Sequence, residues 1–238
     1  MTAREDRRLR ADAERNRRRL LEAATDVFRE HGLEAGVAEI AQRAGVGRGT
    51  LFRNFSCKED LIAAIVVDQI SDVVARGREL LERPDAGAAL FELLEEIVGR
   101  QRLNRALFEA FEDTFLANQE IRAAHAELLA VLEELLAGAK RAGAVRQDVG
   151  TGDLLMLVKG VCQVGGALCH GDPSVIARQL DLVRCALSTA AAEHPLRGRA
   201  LSLADIAPPP TGRLDNDKNA DQRGGARPPI DVRSVSRP

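Results

Sequence analysis

The sequence predicts an all-α protein, and three observations carry that reading. Ala, Leu, Arg and Glu, all strong helix formers, dominate the chain. No stretch shows the period-two alternation of Val, Ile and Thr that marks a half-buried strand. Apolar residues recur instead at helical spacing between Gly and Pro breaks. With 238 residues, 45% hydrophobic and 29% charged, the chain is long enough for a substantial core and suits a soluble globular protein.

The first helix is expected over about 12–31, with Leu20, Ala24, Val27 and Phe28 at helical spacing and Gly32 closing it. Two short helices follow within 37–55. A fourth starts after Ser56, read as its N-cap with Glu59 completing a capping box, and runs to about Arg83 before Pro84. Helices are then expected at about 86–101, 104–116 and 119–142. Gly143 and "DVGTGD" break the chain before a strongly apolar helix at 152–169. "HGDPS" ends that helix, and Pro173 opens a last one to about Ala192. The total is about nine helices. From Leu196 the chain turns Pro-, Gly-, Arg- and Asp-rich, so residues 195–238 are expected to form a disordered tail.

Charge is unevenly spread. Residues 1–58 hold 13 Lys+Arg against 9 Asp+Glu, whereas 59–195 hold 13 against 22 and 196–238 hold 8 against 5. A basic N-terminal segment thus precedes an acidic middle, as expected if only the first part meets a polyanion. Cys57, Cys162, Cys169 and Cys185 have no C-x-x-C spacing and suggest no secreted disulfide framework. The polar N-terminus does not read as a signal peptide, and no run approaches a membrane span. A cytoplasmic protein is expected, without membrane contact. Seven Phe with no Trp or Tyr disfavour an aromatic-stacking binder of RNA or single strands.

The stretch "AEIAQRAGVGRGTLFRNF", residues 38–55, has the physical layout of a helix-turn-helix. Ile40 and Ala41 form the packing face of the first short helix, and Ala44 lets the pair approach. Gly45 supplies the turn, Val46 plugs beneath it, and Leu51 and Phe55 anchor the second helix. Arg48, Gly49, Thr50, Phe52, Arg53 and Asn54 are left on the other faces. A helix that enters a major groove needs such a thin inner stripe, with small and hydrogen-bonding residues outward. Lys58 and Arg17–Arg19 are placed to reach phosphates beside it. The bland alternative is a pair of ordinary short helices with a solvated charged face.

Residues 18–66, "RRLLEAATDVFREHGLEAGVAEIAQRAGVGRGTLFRNFSCKEDLIAAIV", resemble the DNA-binding domain of TetR/AcrR-type transcriptional regulators. The match is long and nearly gapless, and it ends in the family's Phe55, Lys58–Glu59 and Leu61. The resemblance implies a DNA-binding domain over 1–60, a helical ligand-binding and dimerisation domain over 61–194, and the tail. It implies a homodimeric, ligand-responsive regulator, most often a repressor, on a palindromic double-stranded DNA operator. Its implied DNA-contacting positions are Arg17, Arg18, Val37, Arg48, Gly49, Thr50, Phe52, Arg53, Asn54 and Lys58. Four positions depart from the family's usual form: Phe52 for Tyr, Asn54 for His or Tyr, Gly47 for Ser or Thr, and Cys57 for Ser or Thr.

Other constellations are weaker. Cys162, Cys169 and His170 invite a metal- or redox-dependent sensor, the alternative reading, but ligation needs further donors and buried Cys commonly acts as a small hydrophobe. Cys57 precedes Lys58 at a helix N-terminus, a setting that lowers a thiol pKa. No catalytic, phosphate-loop or cofactor-binding arrangement stands out, so an enzyme is not expected. For a small, largely apolar effector the candidate lining is Leu90, Phe91, Leu94, Phe108, Phe111, Phe115, His125, Met156 and Gln163. The helix at 152–169 is apolar nearly all round and reads as buried on every side, one side by a second subunit. Leu155, Val158, Cys162, Leu180 and Val183 are the plausible seam residues.

Overall fold

The computed structural model describes residues 3–103, 118–168, 172–191 and 196–202. Four helices make up the N-terminal half: α1 (Ala3–His31), α2 (Val37–Arg43), α3 (Arg48–Asn54) and α4 (Lys58–Leu81). Four more follow: α5 (Ala86–Leu103), α6 (Gln119–Arg141), α7 (Thr151–Leu168) and α8 (Pro173–Leu187). Among the described residues there is no strand, only an isolated bridge between Val145 and Ser188. The all-α expectation holds. The helix expected at 104–116 lies outside the described residues.

Helix boundaries differ from expectation where the apolar pattern is silent. Helix α1 starts at Ala3, not near residue 12, because Ala, Arg and Glu sustain a helix without an apolar stripe. The cap of α4 is Cys57, not Ser56: its Sγ accepts from the Asp60 N–H at 3.4 Å. Helix α8 stops at Leu187 because Ser188 turns extended to bridge Val145, and Thr189 Oγ1 donates to the Gly143 carbonyl at 2.8 Å. Asp172 caps α8 through the Ser174 N–H at 2.8 Å, ahead of Pro173.

Two apolar cores form, and α4 serves both. The smaller gathers Leu20, Ala24, Val27 and Phe28 of α1, Ile40 and Ala41 of α2, and Leu51 of α3 over Leu61 and Ile65 of α4. The larger joins Val66, Ile70, Val73 and Leu80 of α4 to Leu90, Leu93 and Leu94 of α5 and to Val131, Leu132 and Leu135 of α6. Leu154 and Val158 of α7 and Ile176 of α8 complete it. Helix α4 lies close against its neighbours at Gly77, where a Cβ would sit 2.4 Å from Val131 Cγ1 of α6 and 3.3 Å from Leu93 Cδ2 of α5. Charged pairs lace α4 and the turn after it to α5 on the outside: Arg76 and Arg83 both reach Glu92, and Arg100 reaches Asp72 at 3.1 Å.

The first residues of the expected tail do not behave as free chain. Leu196 N–H donates to Asp148 Oδ2 at 3.0 Å, and Asp148 also holds the Arg146 guanidinium at 2.6 and 2.9 Å. Leu201 O accepts from Gly152 N–H at 3.0 Å while its own N–H donates to Asp153 Oδ2 at 3.3 Å. A Cβ at Gly150 would lie 2.0 Å from that carbonyl oxygen, so the backbone of Leu201 rests where side chains are missing. Residues 203–238 lie outside the described residues.

Candidate nucleic-acid interface

The interface is assembled on α1–α4 around the smaller core. Gly45 takes φ +67° and turns the chain between α2 and α3, a conformation that suits glycine. The Val46 N–H then donates to the Ala41 carbonyl at 3.0 Å, and Val46 packs against the core from below. Ile40, Ala41, Ala44, Leu51 and Phe55 are all buried, as the helix-turn-helix layout requires. Helix α3 is therefore fastened by one narrow stripe, and the rest of its surface is open.

Arg48, Gly49 and Arg53 are exposed, and Thr50 and Asn54 are half-buried. Phe52 is 49% exposed, unusual for so large an apolar side chain. Two of the polar groups are tied back onto their own helix. Arg53 Nε donates to the Gly49 carbonyl at 3.1 Å and its Nη2 to Thr50 Oγ1 at 3.3 Å. Asn54 Nδ2 donates to the Thr50 carbonyl at 2.8 Å. Arg48 makes no such bond among the described residues and is already presented outward. Gly47 caps α3 with backbone only, as its lack of a side chain dictates.

Basic side chains from the neighbouring helices flank this face. The Arg17 guanidinium stands 4.7 Å from the Phe55 ring centre, and Lys58 Nζ stands 5.7 Å from that of Phe28. Both cations are thus held over aromatic rings of the smaller core. Arg18 is exposed on α1, and Val37 is half-buried at the start of α2, packed against the core. Sequence reasoning missed the clamp that holds α2 to α1. Arg43 pairs bidentately with Glu30 at 2.7 Å, and His31 Nδ1 meets Glu39 at 2.7 Å. Charge signs at these positions were readable, but the pairing of Arg43 with Glu30 across 13 residues was not.

The reactive-thiol reading of Cys57 is corrected. The Asp60 N–H that its sulfur accepts favours the thiolate, yet the Glu59 and Asp60 carboxyls and partial burial outweigh it, and its pKa lies above the ordinary value. Cys162 is pushed up to about 11 by burial. Among the described residues no group of three or more His, Cys, Asp or Glu could hold a metal ion; Cys169 and His170 lie outside them.

The expected effector lining is divided by the structure. Leu90, Phe91 and Leu94 are buried in the larger core, with Arg184 standing 4.8 Å from the Phe91 ring centre. His125 is half-buried on α6, and desolvation lowers its pKa, which favours the neutral imidazole. Met156 and Gln163 do not belong with them: both are exposed, Met156 at 55%, because they fall on the outer side of α7. Phe108, Phe111 and Phe115 lie outside the described residues. The expected seam residues lie on the inner side of α7 and α8. Val158 is buried, and Leu155, Cys162, Leu180 and Val183 pack inward on the larger core. Among the described side chains of α7 and α8, the large apolar groups left outward are Met156, Leu157 and, at 53%, Leu182. Helix α7 is therefore not enclosed on every side within one chain.

A family model described as bacterial regulatory proteins, tetR family, matches residues 20–65, the segment that builds the smaller core and α3. A second, described as transcriptional regulator SbtR-like, C-terminal domain, matches residues 85–188. The chain belongs to the TetR family. A crystal structure of a TetR transcription regulatory protein from Mycobacterium vanbaalenii is 34% identical, with TM-score 0.60, covering 76% of this chain and 99% of that one. The TetR transcriptional regulator SCO0520 from Streptomyces coelicolor is 26% identical, with TM-score 0.61, covering 72% and 98%. Among curated relatives, the HTH-type transcriptional regulator UidR of Escherichia coli K12 is 25% identical over 148 residues, 60% of this chain and 76% of that protein. As a TetR-family member the chain is a DNA-binding transcriptional regulator. No described helix is long and apolar enough to cross a membrane.

Proposed function

We propose that this TetR-family protein is a ligand-responsive repressor, acting in the cytoplasm, that binds a near-palindromic operator as a homodimer. The observation that carries the reading is α3: a helix anchored by Leu51 and Phe55 alone, turned outward with Arg48, Gly49, Thr50 and Phe52. A two-fold pair of such helices reads successive major grooves about 34–36 Å apart. Arg48 is the base-reading cation, while Arg17 and Lys58, held over Phe55 and Phe28, serve phosphates. Thr50, Arg53 and Asn54 complete the contact surface, and Arg18 and Val37 border it.

The partner subunit packs on the outward apolar groups of α7 and α8. The effector is small and largely apolar: Leu90, Phe91 and Leu94 supply apolar wall, and His125, kept neutral, supplies a polar fixture. The acidic middle of the chain favours a neutral or cationic guest over an anion. Effector binding shifts the protein toward a form with lower operator affinity.

Binding-site selection with the full chain tests the reading. A two-fold motif is expected. Arg48→Ala should lose about 1–3 kcal/mol and relax preference at one position per half-site, whereas Lys58→Ala should weaken all sequences alike and flatten the salt slope by about one. Recovery of no two-fold motif would overturn it.

A further inference from the structure

Residues 196–202 form a strap against the loop before α7, and the strap has a direction. Leu196 N–H donates to Asp148 and Leu201 N–H to Asp153, so the strap runs the same way as the loop, toward α7. It bends at Arg197 and Gly198 and then continues without helix or turn to Ser202. Near its end Leu201 sits on the first turn of α7: a Cβ added to Gly152 would lie 2.7 Å from Leu201 Cβ. Gly152 begins the outward stripe of α7, which goes on at helical spacing through Met156, Lys159 and Gln163. Those three are exposed, whereas Gly152 is buried. The strap thus already covers the first position of a face whose next apolar member, Met156, is left 55% exposed.

Beyond Ser202 the sequence reads Leu203, Ala204, Asp205 and Ile206, followed by Ala207 and three prolines. In an extended chain alternate residues share a side, so Leu203 and Asp205 would face the way Leu201 does. Leu203 would fall about 7 Å past Leu201, and Asp205 about 13 Å. Along α7, Met156 stands about 6 Å past Gly152 and Lys159 about 11 Å. The two spacings match closely enough to set an apolar side chain against Met156 and a carboxylate within reach of the Lys159 ammonium. We propose that residues 203–206 dock along the outward stripe of α7, Leu203 on Met156 and Asp205 on Lys159, and so contest the face offered to a second subunit. The competition, unlike the docking, rests on the reading of the chain as a homodimer. Bonds at Asp148, Gly152 and Asp153 hold the root of the strap. The segment after it therefore stays at high effective concentration beside α7 while it exchanges with the partner.

The full chain carrying Met156→Cys and Leu203→Cys tests the docking. Oxidised with glutathione disulfide at a dilution where the chain is monomeric, it should form a 156–203 bridge within one chain, read by peptide mapping. Such a bridge needs the two Cβ atoms about 4 Å apart. Met156→Cys paired with Ser234→Cys should bridge far less, and Asp205→Lys should lower the 156–203 yield. Sedimentation of the otherwise native sequence tests the competition. A cover closed in about two thirds of chains leaves about one third able to associate, and both partners must open, so truncation after 202 should tighten the dimer about ninefold. No 156–203 bridge, one matched by the 156–234 pair, or one formed only between two chains overturns the docking. A dimer no tighter after truncation overturns the competition. If neither the full nor the truncated chain associates at any concentration, the homodimer reading fails, and the bridge alone decides the docking.

Discussion

Gly77 and Gly49 are both helical glycines, yet their surroundings demand opposite things. Gly77 lies where α4 meets α6, with Val131 and Leu93 filling the place of a side chain. A methyl there must push apart two packed helices, and overpacking of this kind costs about 1–3 kcal/mol. Gly77→Ala is therefore expected to lower the urea midpoint by a corresponding amount with an unchanged m-value, in contrast to Gly49→Ala. Gly49 has open space where a Cβ would stand, and sequence alone does not separate the two, since each falls inside a helical pattern. What distinguishes them is a neighbour more than fifty residues away. The same limit explains Cys57: its position before Lys58 was legible as a helix start, but which of Ser56 and Cys57 turns its side chain to the Asp60 amide depends on backbone torsion.

At the scale of elements, the loop between α6 and α7 is the part that sequence described least well. "DVGTGD" reads as a break, and so it is, but its glycines and aspartates also make a dock for residues 196–202. The carboxyl of Asp148 lies well below the ordinary carboxylate range, held there by Arg146 and by the Leu196 N–H. A carboxyl whose folded pKa is depressed contributes stability that is present above its unfolded pKa, about 3.9, and is lost as pH falls below that. Asp148→Asn is thus expected to lower the Tm at pH 7, and the gap to the wild type should close as melts are repeated below about pH 4. Truncation after residue 195 should lower the Tm as well, whereas truncation after 202 should not. Equal melting of both truncated chains would show that the dock adds no stability. The interiors of α4, α5 and α6 were legible because Leu, Val and Ile mark their buried faces every three or four residues. Helix ends were not, because they are decided by partners such as Val145 and Gly143, which hold Ser188 and Thr189.

For the molecule as a whole, the outward apolar groups of α7 and α8 matter most. Periodicity showed that α7 has apolar residues on nearly every side, without saying which side faces the chain's own core. The structure turns Leu155, Val158 and Cys162 inward and leaves Met156 and Leu157 outward beside Leu182 of the next helix. Leu182→Glu is expected to halve the sedimenting mass and lower operator affinity while leaving the helical signal intact, because the exposed site leaves the core untouched. Leu180→Glu, half-buried against the core, should unfold the domain instead. An intact dimer in Leu182→Glu would move the subunit contact elsewhere. The architecture was legible from composition, glycine breaks and the 18–66 pattern. The assignment of faces was not, since α7 offers too little polar contrast to orient it.

Helix α4 has a mechanical consequence. It is one unbroken rod of 24 residues, gripped along most of its length by the larger core, with its first turns in the smaller one. At 1.5 Å per residue it reaches about 36 Å. A rod converts angle into travel: a tilt of about 5° around Leu80 carries Lys58 through about 3 Å. That distance separates a hydrogen-bonded phosphate from one out of reach. Leverage of this kind lets a rearrangement too small to disturb core packing become an all-or-none difference at the far end.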